Sequence, residues 1–139
     1  MHIPIKTMIT IKALIEIAGF PQTHVDETME KVLEMLNKEP TIKIIKKEVG
    51  KAEKIKELWS SFVDLELDLD NLAALHKFCF DYLPTSIEIQ DITEIKFEVK
   101  ELNNFINDTL LKIHQYNNAV RNLHAETEIL KHKMQKSPK

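Results

Sequence analysis

The sequence contains little of the residue types that build several familiar functional sites. Two glycines in 139 residues leave no glycine-rich loop that would hold a phosphate group. One cysteine, Cys79, excludes an internal disulfide framework and fits a reducing compartment. No apolar run approaches the roughly 18–20 residues that cross a bilayer, and the first residues show no secretory signal pattern. We therefore expect a cytoplasmic protein without a membrane segment.

Neither sign of charge dominates the chain. Nineteen basic and 22 acidic residues give a net charge of −3, so the whole molecule is not electrostatically attracted to nucleic acid. A hydrophobic content of 43% is typical of a globular protein, and 139 residues provide one domain with an appendage.

Hydrophobic periodicity divides the first two thirds of the chain into strands and helices. Alternating or β-branched segments predict strands, and segments with apolar residues at helical spacing predict helices. The predicted strands are residues 8–18, 41–49, 61–70 and 86–90, and the predicted helices are 23–38 and 71–83. The order β-α-β-β-α-β predicts an α+β fold, a ferredoxin-like sandwich with both helices on one face of a four-stranded antiparallel sheet.

Local signals predict where several of these elements begin. Thr23 and Asp26 resemble a capping box for the first helix, and Asp70 or Asn71 would cap the second. The connection that begins at Gly50 would hold a short helical turn with Ala52, Ile55 and Leu58 on one side. The predicted apolar stripe of the second helix consists of Leu72, Leu75, Phe78, Cys79, Tyr82 and Leu83. Phe80 lies off this stripe, beside His76, and is therefore a candidate interface residue.

The last part of the chain follows a heptad repeat. With Val99 at position a, eight of the eleven a and d positions up to residue 134 are Val, Ile, Leu or Met. The predicted seam comprises Val99, Leu102, Ile106, Ile113, Tyr116, Val120, Leu123, Leu130 and Met134. The predicted division is a ferredoxin-like domain at 1–91, a long helix at 92–136 with a coiled coil from about 99, and a disordered tail at 137–139. Whether residues 92–99 are helix or strand stays open, because Ile95, Phe97 and Val99 fit either period.

A seam of this length needs a partner. A helix of about 50 Å would extend past a domain of about 30 Å, and its apolar stripe is unfavourable in water. β-branched residues at a with leucine at several d positions favour a parallel two-stranded coil, and a second copy is the simplest partner. The alternatives are a different helical protein, an antiparallel pairing or a helix folded over its own sheet. Phe105 and Leu110 lie outside the seam and are candidates for packing the helix base against the domain.

Other motifs are better explained by structure than by chemistry. His114, His124 and His132 are spaced too far apart on one helix to share a metal ion. Cys79 lies on an apolar face without an activating base, which is typical of core packing. Asp64, Glu66 and Asp68 indicate a solvated sheet face, paired across strands with lysines 43, 47 and 12. We expect no catalytic residues, cofactor or metal.

Two lysine-rich segments suggest an alternative function. Lys43, Lys46, Lys47, Lys51 and Lys54 lie around the second strand, and Lys131 and Lys133 lie near the carboxyl end. They are candidate nucleic-acid contacts. RNA binding through the sheet is disfavoured, because its open side would carry one aromatic residue, Phe62, among acids that repel phosphate.

Together these observations favour a non-enzymatic interaction or scaffold module. It would dimerise through a parallel C-terminal coiled coil and present two α+β domains to a partner. The alternatives are a nucleic-acid-associated dimer and a regulatory domain that senses a small ligand.

Overall fold

A computed structural model describes residues 8–90 and 94–136 of the chain. Its elements are β1 (Ile9–Gly19), α1 (Gln22–Lys38), β2 (Ile42–Val49), β3 (Glu53–Ile55), β4 (Leu58–Leu69), α2 (Leu72–Tyr82), β5 (Ser86–Ile89) and α3 (Val99–Lys136). The chain divides into two units between Phe97 and Glu98. The first unit contains the sheet with α1 and α2, and the second contains α3.

The predicted α+β class is confirmed. Five strands form one antiparallel sheet, in which β2, β4, β1 and β5 are neighbours in that order and β3 pairs with β4. With the three-residue β3 set aside, this order is compatible with the predicted ferredoxin-like arrangement. The long strands β1 and β4 lie at the centre and pair along their whole length, from Ile9 opposite Leu69 to Gly19 opposite Trp59.

The core lies on one face of the sheet. Alternation puts every second residue of β1 and β4 on this face, which leaves Ile9, Ile11, Ala13, Ile15, Val63, Leu65, Leu67 and Leu69 buried. Helix α1 packs Met29 and Leu36 into this cluster, and α2 adds Ala74 and Phe78. Both helices therefore cover the same face, as the sequence predicts. Because each apolar run has period two, the opposite face carries mostly polar residues.

Two local predictions are wrong. Residues 53–55 form a short strand rather than a helical turn, and the following turn has Lys56 in a left-handed conformation, with φ of 57°. Pairing with Leu58–Ser60 of β4 outweighs the helical spacing of Ala52, Ile55 and Leu58. Helix α1 begins at Gln22, so Thr23 lies inside the helix and Pro21 occupies the N-cap without a side-chain cap hydrogen bond.

Helix α2 is bounded largely as predicted. The Asn71 side chain caps it by accepting a hydrogen bond from the Ala74 amide at 2.9 Å. Leu83 closes it in a left-handed conformation before Pro84, which leaves the Leu83 side chain exposed rather than on the apolar stripe. His76 is buried and its ring centroid lies 4.6 Å from that of Phe80. Phe80 is half-buried against this imidazole.

The start of the long helix also differs from the prediction. Residues 94–98 are neither helix nor strand, and α3 begins at Val99. A helix from residue 92 is therefore wrong for residues 94–98, whose apolar side chains alternate with period two and form no helical stripe. The predicted strand there is also not formed. Residues 91–93 and the predicted tail at 137–139 lie outside the described residues.

The N-cap of α2 gives a stability prediction. We expect Asn71→Ala to lower the free energy of unfolding by about 1 kcal/mol, because the Ala74 amide loses its acceptor at the helix terminus. Urea unfolding followed by fluorescence of Trp59, the single tryptophan, measures this change in the α+β unit. Asp70→Ala is the matched control, since Asp70 is the exposed neighbour that does not cap α2, and it should change stability by less than about 0.5 kcal/mol.

Candidate functional site

Helix α3 carries an exposed seam that is largely apolar. It runs 38 residues without a break, which corresponds to about 57 Å, and none of its residues is buried. The predicted a and d residues are between 46% and 79% exposed: Val99, Leu102, Ile106, Ile113, Tyr116, Val120, Leu123, Leu130 and Met134. Successive members of this set lie close together in a stripe that winds slowly around the axis of a regular helix. Such a stripe is typical of a surface that binds another helix.

The two remaining a and d positions of the heptad repeat hold Thr109 and Thr127, which are compatible with burial. The Thr109 hydroxyl donates to the Phe105 carbonyl at 2.8 Å, and the Thr127 hydroxyl donates to the Leu123 carbonyl at 2.8 Å. Because each hydroxyl is already satisfied within its own helix, packing it against a second helix would leave no donor unpaired. These positions interrupt the apolar character of the seam without adding an unsatisfied polar group.

Three candidate interface residues lie outside the seam. Phe105 is half-buried at position g, and Leu110 is 47% exposed at position e of the next heptad. Phe80 lies on α2, in the other unit. The two α3 residues extend the apolar surface beyond positions a and d at the start of the helix.

A second surface is the open face, the side of the sheet opposite α1 and α2. It consists of Thr10, Lys12, Leu14, Glu16, Lys43, Lys46, Glu48, Phe62, Asp64, Glu66, Asp68, Ser86 and Glu88. Strand register aligns one charged residue from each of four strands across this face. In the order β2, β4, β1, β5 this charge row reads Lys46, Glu66, Lys12, Glu88, so the sign alternates at every step.

The open face is concave around the charge row. A cavity of about 520 Å³ is lined by the four charged residues of the row and, among others, by Glu48, Asp64, Leu14 and Ser86. Its volume falls within the range of small-ligand sites. Glu48 and Asp64 lie directly opposite each other, which is an unfavourable pairing of like charges.

Ion pairs with other residues of the described ranges do not neutralise the charge row. Its four groups make no ion pair with any other residue that the structure describes. Two acids elsewhere on the open face are engaged: the Thr10 hydroxyl donates to Asp68 at 2.6 Å, and the Ser60 hydroxyl donates to Glu16 at 2.7 Å. The row therefore remains available to an external partner.

A β-bulge corrects one predicted pairing. The register shifts between Ile44 and Lys46, so Lys46 lies opposite Glu66. Lys47 lies opposite Leu65 and therefore on the other face of the sheet, away from the carboxylates. Without the bulge, simple alternation would have placed Lys47 opposite Asp64, which is why the sequence predicts the wrong lysine.

Three of the seven predicted nucleic-acid contacts lie beside an acid. Lys43 lies opposite Asp68, and Lys46 lies opposite Glu66. Lys54, on the short β3, lies opposite Trp59 of β4. On α3, Lys131 lies 3.8 Å from Glu128. The acids next to Lys43, Lys46 and Lys131 weaken the attraction of these three lysines for phosphate.

Cys79 and the histidines are the residues for which the sequence raised the question of a metal or catalytic centre. Within residues 8–90 and 94–136, no three His, Cys, Asp or Glu side chains come together as metal ligands. Burial raises the pKa of the Cys79 thiol, which disfavours the nucleophilic thiolate.

The Tyr82 hydroxyl is a polar group that the sequence did not indicate as special. It is buried without a hydrogen-bond partner among the described residues.

A model of the MJ0538 family matches residues 10–137, which is most of the chain. The chain belongs to the MJ0538 family. The match spans the sheet, α1, α2 and α3 of this chain. Comparisons with curated proteins and with solved structures find no match.

None of the helices in the described part of the chain has the length and hydropathy of a bilayer-spanning helix.

Proposed function

We propose that this protein is an interaction module that dimerises through a parallel two-stranded coiled coil of α3 and presents two α+β units to a partner. The observation that carries this proposal is the exposed seam on an unbroken helix of 38 residues. Burying side chains such as Leu123 and Leu130 against a second helix removes apolar surface from water, at about 25 cal/mol for each Å². The match of the family across α3 supports a role for the helix in the family's common function.

The seam composition favours a second copy of the same chain. Position a carries Val99, Ile106, Ile113 and Val120, and β-branched residues at a favour two parallel strands. Each of these residues would meet its own copy in a parallel dimer, so the seam is self-complementary. A different helical protein would need a matching repeat of its own.

Residues beside the seam favour the parallel orientation. In a parallel coil, position g of one helix contacts position e of the next heptad on its partner. This pairs Phe105 with Leu110 of the second copy, and Glu126 with Lys131 of the second copy. An antiparallel coil brings g against g and sets Phe105 opposite Glu126 or Lys133, which would place a charge against the aromatic ring.

Of the alternatives, nucleic-acid binding has the weaker support. The cross-strand acids beside Lys43 and Lys46 oppose it. The small-ligand alternative is supported by the cavity of about 520 Å³ on the open face. Neither alternative explains the seam on α3.

Sedimentation equilibrium of the full chain tests the dimer, and a mixing experiment tests its orientation. We expect a dimer at micromolar concentration, weakened roughly tenfold by Phe105→Glu and by Leu110→Lys, because each variant puts a charge against an apolar side chain twice. A mixture of the two variants would have one Glu–Lys pair and one Phe–Leu pair. Native mass spectrometry, with one variant labelled with ¹⁵N, should therefore find heterodimers above their statistical share.

Two outcomes would contradict the proposal. A monomer at micromolar concentration would remove the coiled coil altogether. A dimer without heterodimer enrichment would leave self-association intact but would reject the parallel pairing of Phe105 with Leu110.

A further inference from the structure

The charge row has a symmetry that identifies a partner for the open face. Across the sheet its signs run plus, minus, plus, minus, from Lys46 through Glu66 and Lys12 to Glu88. Read in the reverse direction, the same row runs minus, plus, minus, plus. A row of this kind is complementary to a reversed copy of itself.

We propose that the open faces of the two α+β units in the dimer pack against each other, with the charge rows of the two copies in register. The twofold axis would lie midway between the sheets, parallel to the strands, and pass between β4 and β1. It would set Lys46 opposite Glu88 of the second copy and Glu66 opposite Lys12 of the second copy. All four positions of the row then face the opposite charge, which satisfies an isologous interface.

The neighbouring row of the open face agrees with this axis. Glu48 would face Ser86 of the second copy, and Asp64 would face Leu14 of the second copy. The like-charged pair of Glu48 and Asp64 would therefore meet no further acid. An axis perpendicular to the strands through the charge row would instead set Glu66 against Glu66 and Lys12 against Lys12. Charge complementarity thus selects one of the two in-plane orientations.

The dimensions also fit. Facing sheets pack about 10 Å apart, and a lysine and a glutamate extended toward each other span roughly that distance. Lys12, Lys46 and Glu88 are exposed, and the cavity around them leaves room for side chains of a second copy. None of the four charged groups has an intrachain ion pair within the described residues, so no existing contact has to break.

This inference rests on the proposed α3 dimer. Ion pairs that leave water roughly break even in free energy, so they determine the orientation of an interface more than its affinity. A dimer held by α3 would raise the effective concentration of the two open faces to the order of millimolar, which makes a weak pairing sufficient.

Zero-length crosslinking of the full chain tests the pairing. Equal amounts of ¹⁴N and ¹⁵N chains are unfolded and refolded together, treated with a carbodiimide and analysed by peptide mass spectrometry. We expect a Lys46–Glu88 crosslink that joins one ¹⁴N and one ¹⁵N peptide. Within one chain, β2 and β5 are three strand spacings apart, about 14 Å, which disfavours this crosslink inside a monomer. Lys77 and Glu39, an intrachain ion pair at 3.0 Å, provide the same-isotope control.

Charge reversal provides the specific variants. Lys12→Glu alone would set carboxylates against Glu66 of the second copy, and Glu66→Lys alone would set ammonium groups against Lys12. Each should reduce the mixed-isotope Lys46–Glu88 crosslink about tenfold or more. When ¹⁴N Lys12→Glu chains are mixed with ¹⁵N Glu66→Lys chains, every position of the row is again complementary, and the crosslink should return.

Sedimentation of the same samples separates the two proposals. A monomer would overturn both the α3 dimer and the pairing of the open faces. A dimer without the mixed-isotope crosslink, or without its return in the mixture, would overturn the pairing alone and leave the cavity to a different ligand. A dimer with the crosslink and its return supports both.

Discussion

Substitution of Ile113 by aspartate is expected to convert the proposed dimer into a monomer. Ile113 occupies position a near the middle of α3, where it is 51% exposed. In a parallel coil the two copies of this position meet, so Ile113→Asp would bury two carboxylates against each other without a counter-ion. This costs several kcal/mol, enough to abolish association at micromolar concentration. Sedimentation equilibrium should give twice 16.2 kDa for the original chain and 16.2 kDa for the variant.

The matched control places the same charge on the outer side of the coil. Asn118→Asp, at position f, points away from a partner helix and should leave the mass at twice 16.2 kDa. Trp59 fluorescence should show that both variants keep a folded α+β unit. A dimer that persists in Ile113→Asp would place the association surface outside α3. If such a dimer kept the Lys46–Glu88 crosslink between chains, the open face would be that surface.

The fold is predictable from sequence where burial imposes a strict period. Residues 11–16 of β1 and 61–69 of β4 alternate because one side of the sheet faces the core, and α1 shows its buried stripe from Val25 to Leu36. β3 escapes prediction because three residues are too few to show a period, and its turn at Lys56 lacks the glycine or asparagine that usually marks a left-handed residue. The burial of His76 could not be predicted for a different reason, because a histidine side chain has no strong preference for the core or the surface of a protein.

The residues of the seam can be predicted from the sequence, whereas those of the charge row cannot. The seam depends only on local spacing along one helix, so its residues follow from the heptad. The charge row depends on the register among four strands and on the bulge between Ile44 and Lys46. Its members are separated by up to 76 positions in the chain, from Lys12 to Glu88. Which lysine faces Glu66 cannot be read from alternation, because one extra residue in β2 exchanges the two faces.

The largest expected loss of stability within the α+β unit comes from Phe78. This residue has the largest fully buried side chain, with 0% exposure, and its ring centroid lies 5.5 Å from that of Tyr82 in a stacked arrangement. Phe78→Ala should lower the free energy of unfolding by about 3–5 kcal/mol, the sum of lost burial and a cavity between α2 and the sheet. That is a large share of the roughly 5–15 kcal/mol typical of a whole domain.

Urea unfolding monitored by Trp59 fluorescence measures this loss in the α+β unit, since α3 contains no tryptophan. Phe20→Ala is the matched control, because the Phe20 side chain is 69% exposed and the same truncation should cost no more than about 0.5 kcal/mol. An unchanged slope with denaturant would show that the midpoint shift reflects stability rather than a different unfolded state. If Phe78→Ala lowered the free energy of unfolding by less than about 1 kcal/mol, α2 would not pack against the core at this position. The helix-covered face of the sheet would then have to be reassigned.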